Sequence, residues 1–171
     1  MNTDQKKVAL GAGSGVVIMA ALVFALYHVL PTPAGMDTAL ARLIFALQIN
    51  AIATLPFFVM VAVVGNGRFT SEAIDPLQHK ESKAVEINGR VADNTLQQNF
   101  VFFVATMALT TFLTAQNIQI IPALVTVYIL ARIAFWIGYR IHPLYRAAGM
   151  AATSYMNLGI LLSVLYFLIY T

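Results

Sequence analysis

Two short stretches of this chain place charged and amide side chains among residues that are otherwise apolar. The first holds Arg90, Asp93, Asn94, Gln97 and Gln98. On a helix, offsets of 0, +3, +4 and +7 bring Arg90, Asp93, Asn94 and Gln97 to one face. The second holds Arg132, Phe135 and Tyr139 at 0, +3 and +7, with Arg140 and Arg146 following in the next turn. Inside a membrane helix such groups are expensive, and they face a partner or a cavity. Both clusters lie toward the cytoplasmic ends of their helices, so they can meet at one depth. A pocket built this way would take a small polar anion. Its arginines would bind carboxylates in bidentate fashion, and Asn and Gln would orient amides. The same residues admit an internal alternative, with Arg90 paired to Asp93, Arg132 anchoring a helix interface and Arg90 snorkelling to the headgroups.

The elements that must position these residues are membrane helices. Of 171 residues, 60% are hydrophobic and only 10% are charged, and the mean hydropathy is +0.78. A soluble fold of this length would expose large apolar patches, whereas lipid solvates the outer face of every helix. Runs of roughly 20 apolar residues cross the hydrocarbon core, and five are expected: residues 8–30, 38–64, 90–113, 118–139 and 147–170. The third carries its polar residues in its first two turns. One connection is long, the polar stretch 66–89, and it is expected to be a solvated loop. No internal repeat or low-complexity segment is visible.

Composition excludes several functions. The net charge is +3, but there are no long Lys/Arg runs and no aromatic-basic interleaving, so nucleic acid is not an expected partner. The chain has no cysteine, which removes disulfides, thiolate metal sites and a cysteine nucleophile. His28, His79 and His142 lie far apart, without metal-ligand spacing, and no metal is expected.

Basic residues set the orientation. With the N-terminus inside, Lys6, Lys7, Arg68, Lys80, Lys83, Arg90, Arg140 and Arg146 fall on the cytoplasmic side and Arg42 alone outside, a split of eight to one. The expectation is an integral protein of a bacterial inner (cytoplasmic) membrane, N-terminus in and C-terminus out. Lys6 and Lys7 before an apolar run also look like a signal peptide, but the run exceeds an h-region of about 7–15 residues and no small-residue cleavage site precedes Pro31. A retained anchor is expected. Gly11 and Gly15 form a small-xxx-small step suited to packing against another helix.

The spacing across the two polar helices resembles the MAPEG family, the membrane-associated proteins of eicosanoid and glutathione metabolism. In that family the second helix opens with Arg, followed by Asn four residues on and Glu seven residues on. Arg90 and Asn94 match, and Gln97 stands at the Glu position. The third family helix ends in Arg-x-x-(aromatic or His)-x-x-Gly-Tyr, matched by Arg132, Phe135, Gly138 and Tyr139. Arg146 matches an Arg that opens the last helix, and Arg68 corresponds to an Arg after the first. The resemblance covers residues 38–171 and leaves residues 1–37 as an additional N-terminal transmembrane helix, a signal anchor or a partner-binding element.

The resemblance implies an all-α membrane protein whose last four helices form a left-handed four-helix bundle, assembled as a homotrimer with glutathione between subunits and lipophilic small molecules entering from the membrane lipids. Arg146 would stabilise the thiolate, Tyr139 would donate a hydrogen bond, and Arg68, Arg90, Asn94, Gln97 and Arg132 would hold the peptide. Such chemistry suits the residue types, because a thiol with a pKa of about 8.5 is acidified by a nearby guanidinium. Three departures bear on activity. Gln97 lacks the Glu charge, Asp93 adds a carboxylate that repels an anion unless paired with Arg90 or Arg132, and Phe135 offers no hydroxyl or imidazole. Two functions therefore stand side by side: a glutathione-dependent transferase or peroxidase, and a catalytically lapsed accessory subunit that joins a larger membrane complex through helix 8–30. A channel or transporter is a third reading: the chain lacks the visible inverted repeat common among secondary transporters, while a ring of Arg at a trimer axis could pass anions.

Overall fold

The computed structural model describes residues 1–170. Six helices follow one another: α1 (Thr3–Val29), α2 (Ala39–Ala53), α3 (Leu55–Phe69), α4 (Lys83–Thr110), α5 (Ile120–Ile141) and α6 (Ala147–Tyr170). There is no strand among the described residues. α2 and α3 continue one another, so the chain crosses the bundle five times. Four of these crossings have the length and hydropathy of a membrane span, with Ala39–Phe69 counted as one. α4 is the fifth. It is 28 residues long, more polar in its first half, and packed against α2, α3, α5 and α6.

Local sequence explains the boundaries. α1 opens on a capping box, in which the Gln5 N–H donates to Asn2 Oδ1 at 2.8 Å and the Asn2 N–H donates to Gln5 Oε1 at 2.9 Å. The crossing that begins at Ala39 breaks at Thr54 because Pro56 lies in the first turn of α3. Proline has no N–H for the carbonyl four residues back, and its ring crowds that carbonyl. The break is partnered from within the bundle, since Asn99 Nδ2 donates to the Ala53 carbonyl at 3.3 Å.

The expected loop 66–89 is shorter in the structure. α3 runs through Gly65 and Gly67 to Phe69, and α4 begins at Lys83 rather than near Arg90. Ser82 caps α4 by accepting from the Val85 N–H at 3.3 Å. Val85, Asn88, Val91 and Thr95 then lie buried at helical spacing, so the helix starts where its inward face starts. The remaining connection holds a single 3-10 turn at Pro76–Gln78, and an Arg68–Glu81 ion pair at 3.3 Å ties its end back to α3.

The core is mainly apolar at the end distant from the polar clusters, where the buried Thr106 hydroxyl donates to Asn50 Oδ1 at 3.0 Å. Phe102 of α4 stacks on Tyr128 of α5 with ring centroids 4.3 Å apart, among Leu109, Leu124, Met156 and Ile160. The outer surface is apolar as well: Phe58, Phe100 and Leu168 are 69%, 68% and 66% exposed. Water would not tolerate such a surface, and a bilayer requires it.

α1 does not stand apart. It packs along α6 and touches α5. Gly15 lies so close to the Ala148 carbonyl that a Cβ there would overlap it, and a Cβ on Gly11 would meet the Ala147 Cβ at 3.5 Å. The small-xxx-small step, suited to packing against another helix, meets the chain's own α6. Gly13, on the other side of α1, meets nothing.

Candidate functional site

The residues singled out by spacing converge at one end of the bundle, where α4 begins, α5 ends and α6 begins. Trp136 Nε1 of α5 donates to Asn88 Oδ1 of α4 at 2.9 Å, which sets the two helices in register at this end. The turn from α5 to α6 is tight because Gly138 lets the chain fold back on it. A Cβ at Gly138 would come within 2.6 Å of the Tyr145 carbonyl. That turn delivers Arg146 beside Tyr139.

Between these elements lies a cavity of about 290 Å³ lined by Arg90, Asn94, Phe135, Tyr139, Arg146 and Met150. Five of the six were chosen from sequence; Met150 was not. The Arg146 guanidinium carbon sits 4.7 Å over the Tyr139 ring, and the Phe135 and Tyr139 rings meet edge to face at 5.9 Å. Arg146 is exposed and is in neither of the two ion pairs found among the described residues.

Arg132 stands behind this cavity rather than in it. It is fully buried, with its guanidinium carbon 4.2 Å over the Phe135 ring. Nη2 donates to Asn94 Oδ1 and to Thr95 Oγ1, each at 2.9 Å, and Nη1 donates to Thr153 Oγ1 at 3.1 Å. Nε is buried without a partner. Arg132 therefore joins α4, α5 and α6 through neutral oxygens, the helix-anchoring alternative open at the sequence level.

This arrangement orients Asn94. Its oxygen is taken by Arg132, so its amide N–H₂ is left for the cavity that Asn94 lines. The cavity then presents donors: the Asn94 amide, two guanidinium groups and the Tyr139 hydroxyl. The one carboxylate beside it, Glu86, is bound to Arg90 at 2.6 Å. Asp93, for which pairing with Arg90 or Arg132 is the alternative to repelling an anion, pairs with neither. It is exposed on the outer side of α4, and Glu86 one turn earlier takes Arg90 instead. With the carboxylate turned away, the repulsion of an anion expected from Asp93 is removed from this cavity.

Two further sequence-chosen residues lie elsewhere. Arg68 is engaged by Glu81 across the loop and does not line the cavity. Gln97 is exposed on the outer face of α4, also outside it. Gln98 turns inward, where its Nε2 donates to Ser154 Oγ at 3.3 Å and its Oε1 accepts from Asn157 Nδ2 at 3.0 Å. Sequence reasoning missed Thr95 and Thr153, the acceptors for Arg132. Threonine is common in membrane helices and satisfies itself on the preceding turn, so nothing in the sequence marked these two.

Comparison with known proteins places the chain. The model of the MAPEG family matches residues 43–166. Transmembrane protein 79 of Bos taurus is 23% identical over 163 residues, covering 95% of this chain and 41% of that protein. Transmembrane protein 79 of Mus musculus is 22% identical over 156 residues, covering 91% of this chain and 40% of that one. The chain thus spans about two fifths of the length of the curated relatives it matches. The 95% coverage takes in most of α1, which lies outside the family match. No solved structure matches.

Proposed function

The chain belongs to the MAPEG family, and on that premise we propose that it binds glutathione in the cavity between α4, α5 and α6 and uses it on lipophilic substrates carried in the bilayer, either adding the thiol to an electrophilic carbon or, with two glutathiones per turnover, reducing a lipid hydroperoxide to its alcohol and water with formation of glutathione disulfide. The observation that supports this most directly is the donor-only lining. Arg132 holds the Asn94 oxygen at 2.9 Å, which leaves the Asn94 amide for the cavity that Arg90, Arg146 and Tyr139 also line. A tripeptide with two carboxylates and an acidifiable thiol is complementary to that set.

Each residue then has a task. Arg90 and the Asn94 amide hold carboxylate and peptide carbonyl oxygens. Arg146 stabilises the thiolate, lowering a thiol pKa of about 8.5 toward neutrality. The thiol proton passes to water, and the thiolate sulfur bonds to the electrophilic carbon. The leaving group departs with the bonding pair, and the Tyr139 hydroxyl hydrogen-bonds the thiolate sulfur. Arg132 touches none of the reacting atoms and acts as a positioning residue for Asn94.

Arg68 and Gln97 enter this reading through a second copy. Both lie outside the cavity of their own chain. Gln97 and Asp93 are exposed on α4 at a depth where lipid satisfies neither, so a neighbouring subunit is a fitting cover, and a homotrimer is the proposed assembly. A cytoplasm-facing cavity is part of this proposal, supported by the eight-to-one split of basic residues. A lapsed accessory subunit is the second reading, favoured by one observation: Gln97, standing where the family carries Glu, does not line the cavity at all.

Calorimetry with glutathione and turnover of chlorodinitrobenzene by the purified full chain test the proposal, with intact-complex mass analysis reporting the assembly. Arg146→Ala should lower turnover by about 10²–10³-fold, the usual loss on removing one preorganised donor, while assembly persists. Wild-type protein that neither binds nor turns over glutathione, with Gln97→Glu failing to restore binding, would leave the accessory reading in its place.

A further inference from the structure

The donor-lined cavity contains one side chain that has no part in the chemistry proposed above. Met150 lines it together with Arg90, Asn94, Phe135, Tyr139 and Arg146. It stands four residues after Arg146 on α6, one turn along the same helical face, and it is partly exposed. A methionine in an apolar core is adaptable packing material. On the wall of a cavity of donors its thioether sulfur is also an oxidisable nucleophile.

The other methionines of this chain are placed differently. Met60 and Met156 are buried, and the Met60 sulfur already accepts from the Thr95 hydroxyl at 3.2 Å. Met19, Met36 and Met107 pack against the apolar cluster of the core, and Met1 is exposed at the first position. The chain has seven methionines and no cysteine, so no protein thiol competes for an oxidant. Met150 alone among the seven lines the cavity that Arg90 and Arg146 share.

That setting suits oxygen transfer from a hydroperoxide. Arg146 is exposed and is in neither ion pair found among the described residues. Its guanidinium carbon lies 4.7 Å over the Tyr139 ring, so a guanidinium and a phenol hydroxyl border the same space. Both can donate to an oxygen that gains charge as an O–O bond breaks. Donors set in place beforehand stabilise that charge without reorganising. The lining itself contains no carboxylate to oppose it.

We propose that Met150 is a peroxide-reactive site, at which a hydroperoxide entering the cavity converts the thioether to its sulfoxide. A sulfur lone pair bonds to the distal oxygen of the hydroperoxide, and the O–O bond breaks with its electron pair leaving on the proximal oxygen. The Arg146 guanidinium and the Tyr139 hydroxyl donate to that oxygen, which takes the hydroperoxide's own proton and departs as an alcohol. Sulfur loses two electrons and the peroxide gains them. The product sulfoxide is a polar acceptor set among the donors of the cavity. The proposal rests on the reading above for the class of oxidant alone, and it needs no glutathione.

The full chain in phosphatidylcholine nanodiscs, free of glutathione and treated with limiting tert-butyl hydroperoxide, tests this by peptide mass mapping of oxygen gain at each methionine. Met150 should be oxidised at least about tenfold faster than Met19, Met36 and Met107, a lower bound on the 10²–10³ attached to one preorganised donor. Chloramine-T, which oxidises methionine without breaking an O–O bond, measures access on the same samples. Arg146→Ala widens access to the sulfur and Tyr139→Phe keeps the ring, yet each should slow peroxide oxidation of Met150 relative to chloramine-T, by at least about tenfold for Arg146→Ala. Oxidation of Met150 no faster than at the three reference methionines, or a peroxide to chloramine-T ratio unchanged in both variants, overturns the site. The tripeptide γ-glutamyl-aminobutyryl-glycine, a glutathione without its thiol, separates this claim from the function proposed above. Fast oxidation of Met150 that the tripeptide does not slow sinks only the glutathione reading. Glutathione binding with Met150 oxidised at the reference rate sinks only the peroxide site.

Discussion

Replacing Arg132 by Met should separate stability from ligand binding. Counted singly, the three hydrogen bonds from its guanidinium, at 2.9, 2.9 and 3.1 Å, would each be worth about 1.5–3 kcal/mol as contacts to a charged group. Against them stands the desolvation of a fully buried cation, several kcal/mol even after relaxation, together with an unpartnered Nε. The fate of the acceptors decides the balance. The Thr95 hydroxyl also donates to Met60 Sδ at 3.2 Å, and the Thr153 hydroxyl donates to the Gly149 and Met150 carbonyls at 3.1 Å. Both keep those bonds without Arg132. Only Asn94 Oδ1 loses its partner, and it borders a cavity that water reaches. Met keeps much of the side-chain length and offers sulfur to the Phe135 ring, worth about 0.3–1.5 kcal/mol. The expected net change is within about 2 kcal/mol, or less than about 8 °C in thermal midpoint for a chain of this length. Trp136, the one tryptophan, reports unfolding of this end by its emission. Glutathione affinity should fall about 10- to 100-fold, the factor attached to one charge-assisted hydrogen bond, because the Asn94 amide is no longer aimed. Arg132→Ala, which also leaves a cavity, should be less stable than Arg132→Met by about 2 kcal/mol or more. A midpoint more than about 8 °C lower in Arg132→Met would refute the balance of terms, and unchanged glutathione affinity would refute the positioning role.

The native chain lacks cysteine, so Gly11→Cys with Ala147→Cys should form an intramolecular disulfide, the Cβ separation of 3.5 Å lying within the range such bonds need. A ladder of cross-linked oligomers on a non-reducing gel would instead put α1 on a neighbouring subunit. Gly138→Ala should move the turn that carries Arg146, because its Cβ meets the Tyr145 carbonyl at 2.6 Å. Overpacking of that kind costs about 1–3 kcal/mol, and a thermal midpoint equal to wild type would show that the turn is slack. Reporter fusions at residue 171 and within residues 70–82 should fall on opposite sides of the membrane, and finding both on one side would overturn the five-crossing order.

Much of this protein was legible from composition and period. Apolar length alone marks a helix that lipid accepts, and four crossings read that way are present with ends shifted by a few residues. The fifth, α4, was marked by its polar cluster instead, and its start was misplaced because Lys83, Glu86 and Arg90 look solvated when read in one dimension. Val85, Asn88 and Val91 on the other side of the same turns pull them into helix. Spacing marked Arg90, Asn94, Phe135, Tyr139 and Arg146, which line one cavity, but the same offsets put Asp93 and Gln97 on that face, and the structure turns both outward.

What a face meets is another matter, because it depends on the rotation and crossing of neighbouring helices, which no local pattern encodes. Arg90 had carboxylates at −4 and +3, and only the packing of α4 turned Asp93 outward and left Glu86 to pair with it. Arg132 was readable as a buried cation, but its acceptors Thr95 and Thr153 come from two other helices and were unmarked in either. The Gly11–Gly15 step announced a close helix contact without naming the helix, since a flat surface fits any other flat surface. Only the tertiary structure assigned it to α6, and in doing so placed α1 beside Arg146.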